Sequence, residues 1–170
     1  MDQPLDIDFQ NSVFLDEAIG WLGLGNLAEA EGQINRVAPQ FVRHPDVLEV
    51  RWDISGRRRE WDQALSIAER LVEGYPERCS GWLHRSYCLH ELRRTLEAWN
   101  KLLPAYSKFP KEGTVPYNLA CYSCQLGNLE QAKGWLEKAA KISGHQAIRS
   151  LAINDQDLIP LRDKLKTWLV

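Results

Sequence analysis

The chain has 170 residues, of which 44% are hydrophobic and 26% are charged, a balance typical of a folded domain. A formal net charge of −2 argues against a surface built as a whole for nucleic acid or anionic lipid, so nucleic acid is not an expected partner. The first ten residues contain three Asp and no apolar run of signal-peptide length, and no segment approaches the length of a membrane span. We therefore expect a cytoplasmic protein.

Residues 1–10 are expected to form an extended or mobile lead-in. Beyond them, apolar positions recur every 34 residues. The three series that share this step are Ala30, Ala64, Ala98 and Ala132; Ile34, Ala68, Leu102 and Leu136; and Val37, Leu71, Ala105 and Ala139. Within each window, apolar residues follow helical spacing on both sides of a turn. The pattern predicts one helix-turn-helix unit repeated four times, over about residues 11–44, 45–78, 79–112 and 113–144.

Turn and proline signals place the ends of these helices. The second helix of the first repeat is expected to run from about Leu27 to Pro39. The second helices of the middle repeats should end before Pro76 and Pro110, because proline cannot continue the hydrogen-bond ladder. Pro104 lies inside the second helix of the third repeat and predicts a kink there.

The segment 145–170 follows the last repeat. A short helical turn is expected over 146–153, and an amphipathic helix from Asp157, which is a plausible N-cap. The apolar positions of this last helix are Leu158, Leu161, Leu165, Trp168 and Leu169. A terminal helix of this kind would cap the apolar face of the fourth repeat.

These residues and spacings resemble the tetratricopeptide repeat (TPR) family across roughly residues 11–142. The small residue that the family places in its first helix is matched by Ala18, Ser86 and Ala120. Trp52 departs from the pattern, because it stands where a small residue is expected. The run LACYSCQLGNLEQA also resembles uncharacterised bacterial members. The resemblance implies an all-α, right-handed superhelical solenoid of four helix pairs plus a C-terminal capping helix.

In such a solenoid the first helices line a concave groove, so helical phase indicates which side chains face a partner. We predict a peptide-binding groove that comprises Glu49, Asp53, His84, Tyr87, Tyr117 and Asn118. Tyrosines supply contact area at low entropic cost, and carboxylates favour a basic partner segment. The chain is therefore predicted to be a protein–protein interaction scaffold for an unidentified protein or peptide. A merely solvated acidic face is the alternative.

The resemblance also implies a test for one known binding mode. Family members that clamp a C-terminal carboxylate carry a lysine and an asparagine four residues apart on a first helix. Leu15 and Ile19 occupy those places here, and no lysine occurs on the predicted first helices. We therefore do not expect a carboxylate clamp.

Arginines in the turns of the two middle repeats suggest a different partner. They are Arg57, Arg58, Arg59, Arg93 and Arg94. Stacked repeats would bring them to one edge, where they could bind an acidic or phosphate-bearing partner. The other interpretation is that exposed turns simply tolerate arginine and nearby glutamates neutralise part of the charge.

The cysteines and histidines offer a third possibility. His84, Cys88, Cys121 and Cys124 could in principle share a zinc ion. However, Cys121 and Cys124 lie on one predicted helix without the turn that zinc-binding pairs usually supply, and nucleophilic catalysis would need a third orienting group that is not evident. We expect the cysteines to be small core residues in a reducing compartment. Accordingly, we expect no metal, no cofactor and no enzymatic activity.

Overall fold

Helices make up the secondary structure of residues 6–162, the part of the chain that the computed structural model describes, and no strand occurs among them. The α-helices are α1 (Phe9–Gly23), α2 (Leu27–Ile34), α3 (Pro45–Arg57), α4 (Trp61–Gly74), α5 (Cys79–Glu91), α6 (Thr95–Lys108), α7 (Thr114–Gln125), α8 (Leu129–Ser143) and α9 (His145–Asn154). Two 3₁₀ helices span Pro39–Phe41 and Gln156–Leu161. The all-α prediction is confirmed. None of these helices has the length and apolarity that crossing a membrane requires.

The turns after α1, α3, α5 and α7 repeat the same backbone geometry every 34 residues. A left-handed residue follows each helix, with φ of 75° at Gly25, 59° at Arg59, 63° at Arg93 and 80° at Gly127. In each turn the next amide donates a hydrogen bond of 2.9 Å to a carbonyl five residues back, as from Asn128. These are the bonds of a Schellman motif, which satisfies carbonyls at a helix end. The backbone conformation of the turns therefore repeats with the same 34-residue period as the sequence.

The apolar series form the core. Every member of the three 34-residue series is at most 5% exposed, and so are Ala18, Ser86 and Ala120. Small side chains at these places allow helix backbones to approach closely. At Gly81 the backbones of α4 and α5 are so close that an added Cβ would lie 2.9 Å from the Leu71 Cβ. The α4–α5 contact therefore requires glycine at this position.

The chain divides within α5 into two compact units, residues 1–84 and 85–170. In unit 1, α1 packs against α2, α3 packs against α4, and both α1 and α2 contact α3. In unit 2, α7 packs against α6 and α8, and α9 packs against α8. The 3₁₀ helix Gln156–Leu161 also contacts α7. The helices of each unit thus pack against their sequence neighbours, as expected of a helical repeat.

The two helices of the first repeat differ from their predicted bounds, α1 at its start and α2 at its end. Helix α1 begins at Phe9, within the predicted lead-in, because the Asp8 side chain accepts hydrogen bonds from the Asn11 amide and side chain. Helix α2 ends at Ile34 rather than near Pro39. Buried Asn11 accepts a 2.7 Å bond from the Ala38 amide, which holds the chain extended before the proline.

The C-terminal part also differs in detail. The expected short turn is a ten-residue helix, α9, and a 3₁₀ helix starts where the capping helix was predicted. Asp155, rather than Asp157, caps that 3₁₀ helix by accepting from the Asp157 amide. The predicted cap residues Leu165, Trp168 and Leu169 lie outside the described residues. Helix α6 continues through Pro104 to Lys108.

Candidate functional site

Unit 1 contains a cleft of about 680 Å³ that is lined by α1, α3 and the first part of α5. Its apolar wall consists of Ile19, Leu22, Val50 and Trp52. Its polar residues are Asp46, Glu49, Asp53, Arg57 and His84. Three of the predicted groove residues, Glu49, Asp53 and His84, are therefore brought together here.

Trp52 and His84 form one wall of the cleft. Their rings stack with centroids 3.5 Å apart and an interplanar angle of 14°. His84 Nε2 lies 2.6 Å from a Glu49 carboxylate oxygen, and the Ser80 hydroxyl donates to the other oxygen. Burial alone would raise the pKa of Glu49, but the hydrogen bonds from His84 and Ser80 outweigh burial and lower it. Glu49 therefore holds the His84 ring in place while it is ionised.

The other carboxylates of the cleft are also engaged. Arg57 donates two hydrogen bonds to Asp53, of 2.8 and 3.0 Å, and a third of 2.6 Å to the Leu22 carbonyl. Arg78 donates to Asp46 at 2.5 Å. The spacing of acidic residues on α3 indicated an acidic face, but it could not show that cations from within unit 1 pair with those residues. The cleft is consequently less acidic than the sequence suggests.

The remaining predicted groove residues belong to unit 2. Tyr87 is 41% exposed and Asn118 is half-buried. The Tyr117 hydroxyl donates a 2.7 Å hydrogen bond to Asp155. Burial, together with this bond, raises the pKa of Tyr117 well above its usual value. Tyr117 is thus occupied by the chain's own C-terminal segment.

That segment, residues 155–161, is held along α7 by contacts that the sequence analysis missed. Gln125 donates to the Asp157 carbonyl at 2.8 Å, and His90 Nε2 lies 3.0 Å from the Asp157 carboxylate. Leu158 and Leu161 are fully buried. The pair of aspartates before an apolar stretch was the available signal, but a local sequence pattern cannot identify the tyrosine and histidine that bind it.

Cys121 lies beside the same aspartates. Its Sγ is 3.6 Å from an Asp155 oxygen, and ligand atoms of Cys121, Asp155 and Asp157 lie within 4.8 Å of one another. Burial and the two carboxylates raise the pKa of the Cys121 thiol, and burial raises the pKa of Cys124 to about 11. A metal would need the thiolate form of Cys121, and Tyr117 and His90 already contact these carboxylates. The contacts hold residues 155–161 in place.

The four residues of the zinc alternative have other surroundings. His84 belongs to unit 1 and is bound by Glu49. Cys88, Cys121 and Cys124 are buried and not in disulfides, and Cys79 is half-buried. Buried cysteines outside disulfides behave as small apolar residues. The potential metal group found among residues 6–162 does not include His84, Cys88 or Cys124.

The turn arginines are divided between the units and partly paired. Arg57 is bound by Asp53, Arg58 donates to Glu31 at 2.8 Å, and Arg94 lies 2.8 Å from Glu97. Arg59 and Arg93 are exposed. Three of the five guanidinium groups that a basic edge would use therefore already have carboxylate partners.

Neither a family model nor a curated protein matches the sequence. Solved structures do match the fold. A structure titled MamA 41-end from Desulfovibrio magneticus RS-1 is 14% identical, with a TM-score of 0.72, over 96% of this chain and 94% of that one. TTC0263, a TPR protein of Thermus thermophilus, is 14% identical, with a TM-score of 0.70, over 94% of this chain and 96% of that one.

A third similar structure is YrrB, described as a TPR protein with an unusual peptide-binding site. It is 11% identical, with a TM-score of 0.65, over 89% of this chain and 82% of that one. At such identities the likeness concerns the fold and carries no binding residue across. The TPR fold expected from the 34-residue period is confirmed.

Proposed function

We propose that this chain, which has the tetratricopeptide-repeat fold, is a non-catalytic protein–protein interaction scaffold that binds a peptide or protein segment in the cleft of unit 1. The observation that carries the proposal is the cleft itself, where apolar side chains are exposed beside charged ones. Glu49, Asp53 and His84 would contact the partner. Concave sites of this size with a few polar groups are typical of binding sites.

The apolar wall would provide most of the binding free energy. Ile19 is 50% exposed, and Trp52 is held rigid by its stack on His84. A partner's apolar side chain that covers them would remove their surface from water at about 25 cal/mol per Å². Because the Trp52 ring is already fixed, little side-chain entropy remains to be lost on binding.

The charged residues would select the partner. Three carboxylates and one arginine line the cleft. The carboxylates are paired, but the lining residues still carry more negative than positive charge. Asp53 and Arg57 are each more than a third exposed, and such a pair contributes little to stability. A partner lysine or arginine could therefore share Asp53 at small cost. We infer a segment with an apolar residue next to a basic one.

A matched pair of variants tests this proposal. A displayed library of random peptides is selected on the full chain, and the recovered peptides are measured by fluorescence anisotropy. Ile19→Glu should weaken their binding at least tenfold, because it places a charge in the apolar wall. Leu151→Glu, at a similarly exposed position of α9, should leave binding unchanged. Peptides that bind both variants equally, or a library that yields none, would contradict the proposal.

The alternative function, an adaptor for an acidic or phosphate-bearing partner, would use the turn arginines. The ion pairs of Arg57, Arg58 and Arg94 do not favour it. The two functions differ in salt dependence, since neutralising several phosphates makes affinity fall steeply with salt. Binding that survives changes in the cleft and fails when Arg59 and Arg93 are neutralised would favour the adaptor.

A further inference from the structure

A second cleft of unit 1 has the opposite charge. It is about 310 Å³ and is lined by α2, α3 and α4. Its polar residues include three arginines and one glutamate, which are Arg51, Arg58, Arg70 and Glu31. Since a water molecule takes up about 30 Å³, the cleft can hold a small anionic group. Its excess positive charge is not predicted by the net charge of the chain.

Arg51 is the arginine of this cleft that has a buried donor without an acceptor among the described residues. One of its terminal nitrogens donates to the Ile34 carbonyl at 3.3 Å, which fixes the guanidinium. Its Nε is buried, yet it has no acceptor among the described residues. A buried N–H without an acceptor carries the full cost of its desolvation, so such a group calls for a ligand or another explanation.

The other donors lie around Arg51. Arg58 is oriented by its 2.8 Å bond to Glu31, which leaves its other N–H groups available. Arg70 is exposed and forms no ion pair with any residue between 6 and 162. On α4, Gln63 and Ser66 line the same cleft two turns and one turn before Arg70, respectively. The donors therefore come from two helices and converge on one space.

We propose that this cleft binds a phosphoryl group through Arg51, Arg70 and the Ser66 hydroxyl, with Arg58 contributing positive charge. Guanidinium groups suit phosphate and carboxylate alike. Phosphate is favoured here because a tetrahedral dianion offers more acceptors than a carboxylate to the several N–H and O–H donors, and because the excess charge of the lining is +2, from three arginines and one glutamate. The site is separate from the acidic cleft and does not rest on the proposed peptide binding.

Calorimetry at constant ionic strength tests the site on the full chain. The probes are inorganic phosphate, a short phosphoserine peptide and succinate, a dianion with carboxylate groups. Saturable binding of phosphate or of the phosphopeptide supports the site, and the tighter of the two shows whether its source is a free anion or a modified chain. No binding of either, or succinate bound as tightly, would overturn the proposal.

Three variants decide whether the named residues form the site. Arg70→Gln should weaken binding about tenfold or more, and Arg51→Lys, which keeps the charge but removes the planar guanidinium, should do the same. Lys141→Gln is the control, because it removes an exposed positive charge on α8 that lines neither this cleft nor the arginine-rich turns. Circular dichroism verifies that each variant folds. Equal affinities in Arg70→Gln and Lys141→Gln would overturn the assignment even if Arg51→Lys were unstable.

Discussion

Replacing Arg93 by glycine is expected to stabilise the fold, because its backbone has a φ of 63°, where a Cβ is strained. An L-residue in this region costs roughly 1–2 kcal/mol. Glycine also loses more backbone entropy on folding than arginine does, and this cost offsets roughly 0.5–1 kcal/mol of the stabilisation from relieved strain. The net effect is about 0.5–1 kcal/mol in favour of glycine, or about 1–4 °C in Tm for a chain of this size. Urea unfolding followed by circular dichroism resolves this difference.

Two controls separate the backbone from the side chain. Arg93→Ala keeps the Cβ and removes the guanidinium, so its stability should stay close to that of the wild type. Gly127 occupies the equivalent position one repeat later, with a φ of 80° and open space among the described residues where a Cβ would lie. Gly127→Arg should therefore destabilise by a similar amount. An alanine variant as stable as the glycine variant, or a harmless Gly127→Arg, would refute the reasoning.

Glu49→Gln removes a carboxylate whose pKa is lowered despite burial by bonds from His84 and Ser80. A carboxylate with a lowered pKa stabilises the fold above its unfolded pKa, and this contribution is lost as the pH falls through the folded pKa. Denaturant titrations should therefore show a difference in unfolding free energy of roughly 1–2 kcal/mol at pH 7, which narrows as the pH falls below about 4. A difference that does not narrow on acidification would contradict this. Tyr117→Phe should speed hydrogen exchange of the Leu158 amide about tenfold by freeing Asp155, and unchanged exchange would show that this bond does not hold the segment.

The sequence predicts the repeat well because the same helix pair, with the same buried positions and the same turn, recurs along the chain. Ala30, Ala64, Ala98 and Ala132 are all fully buried, and the left-handed turn residues keep the same 34-residue step. A periodic core can be recognised from the sequence, because each helix pair buries equivalent positions against its neighbours. Helix ends are harder to predict. The early end of α2 depends on Asn11, a residue 27 positions away from the amide that it binds.

The site could be predicted only in part, because helical phase gives the face of a side chain and not its partners. Glu49, Asp53 and His84 do lie together. Their pairing with Ser80 and Arg57, and the occupation of Tyr117 by Asp155, depend on contacts between segments. Trp52, a mismatch to the repeat pattern, forms part of the wall of the cleft. A departure from a structural pattern was thus a better guide to the site than conformity with it.

Helix α3 shows why the net charge of the chain says little about its partners. Asp46, Glu49 and Asp53 recur at three- and four-residue spacing and line the acidic cleft, whereas Arg51 and Arg58, two turns apart, line the basic one. The charges of the two sets largely offset each other in the net charge, but helical geometry places them on different faces. A chain of charge −2 can therefore present both a cation-selecting and an anion-binding surface on a single helix. It follows that Arg51→Lys should leave peptide binding intact, and that Ile19→Glu should leave phosphate binding intact.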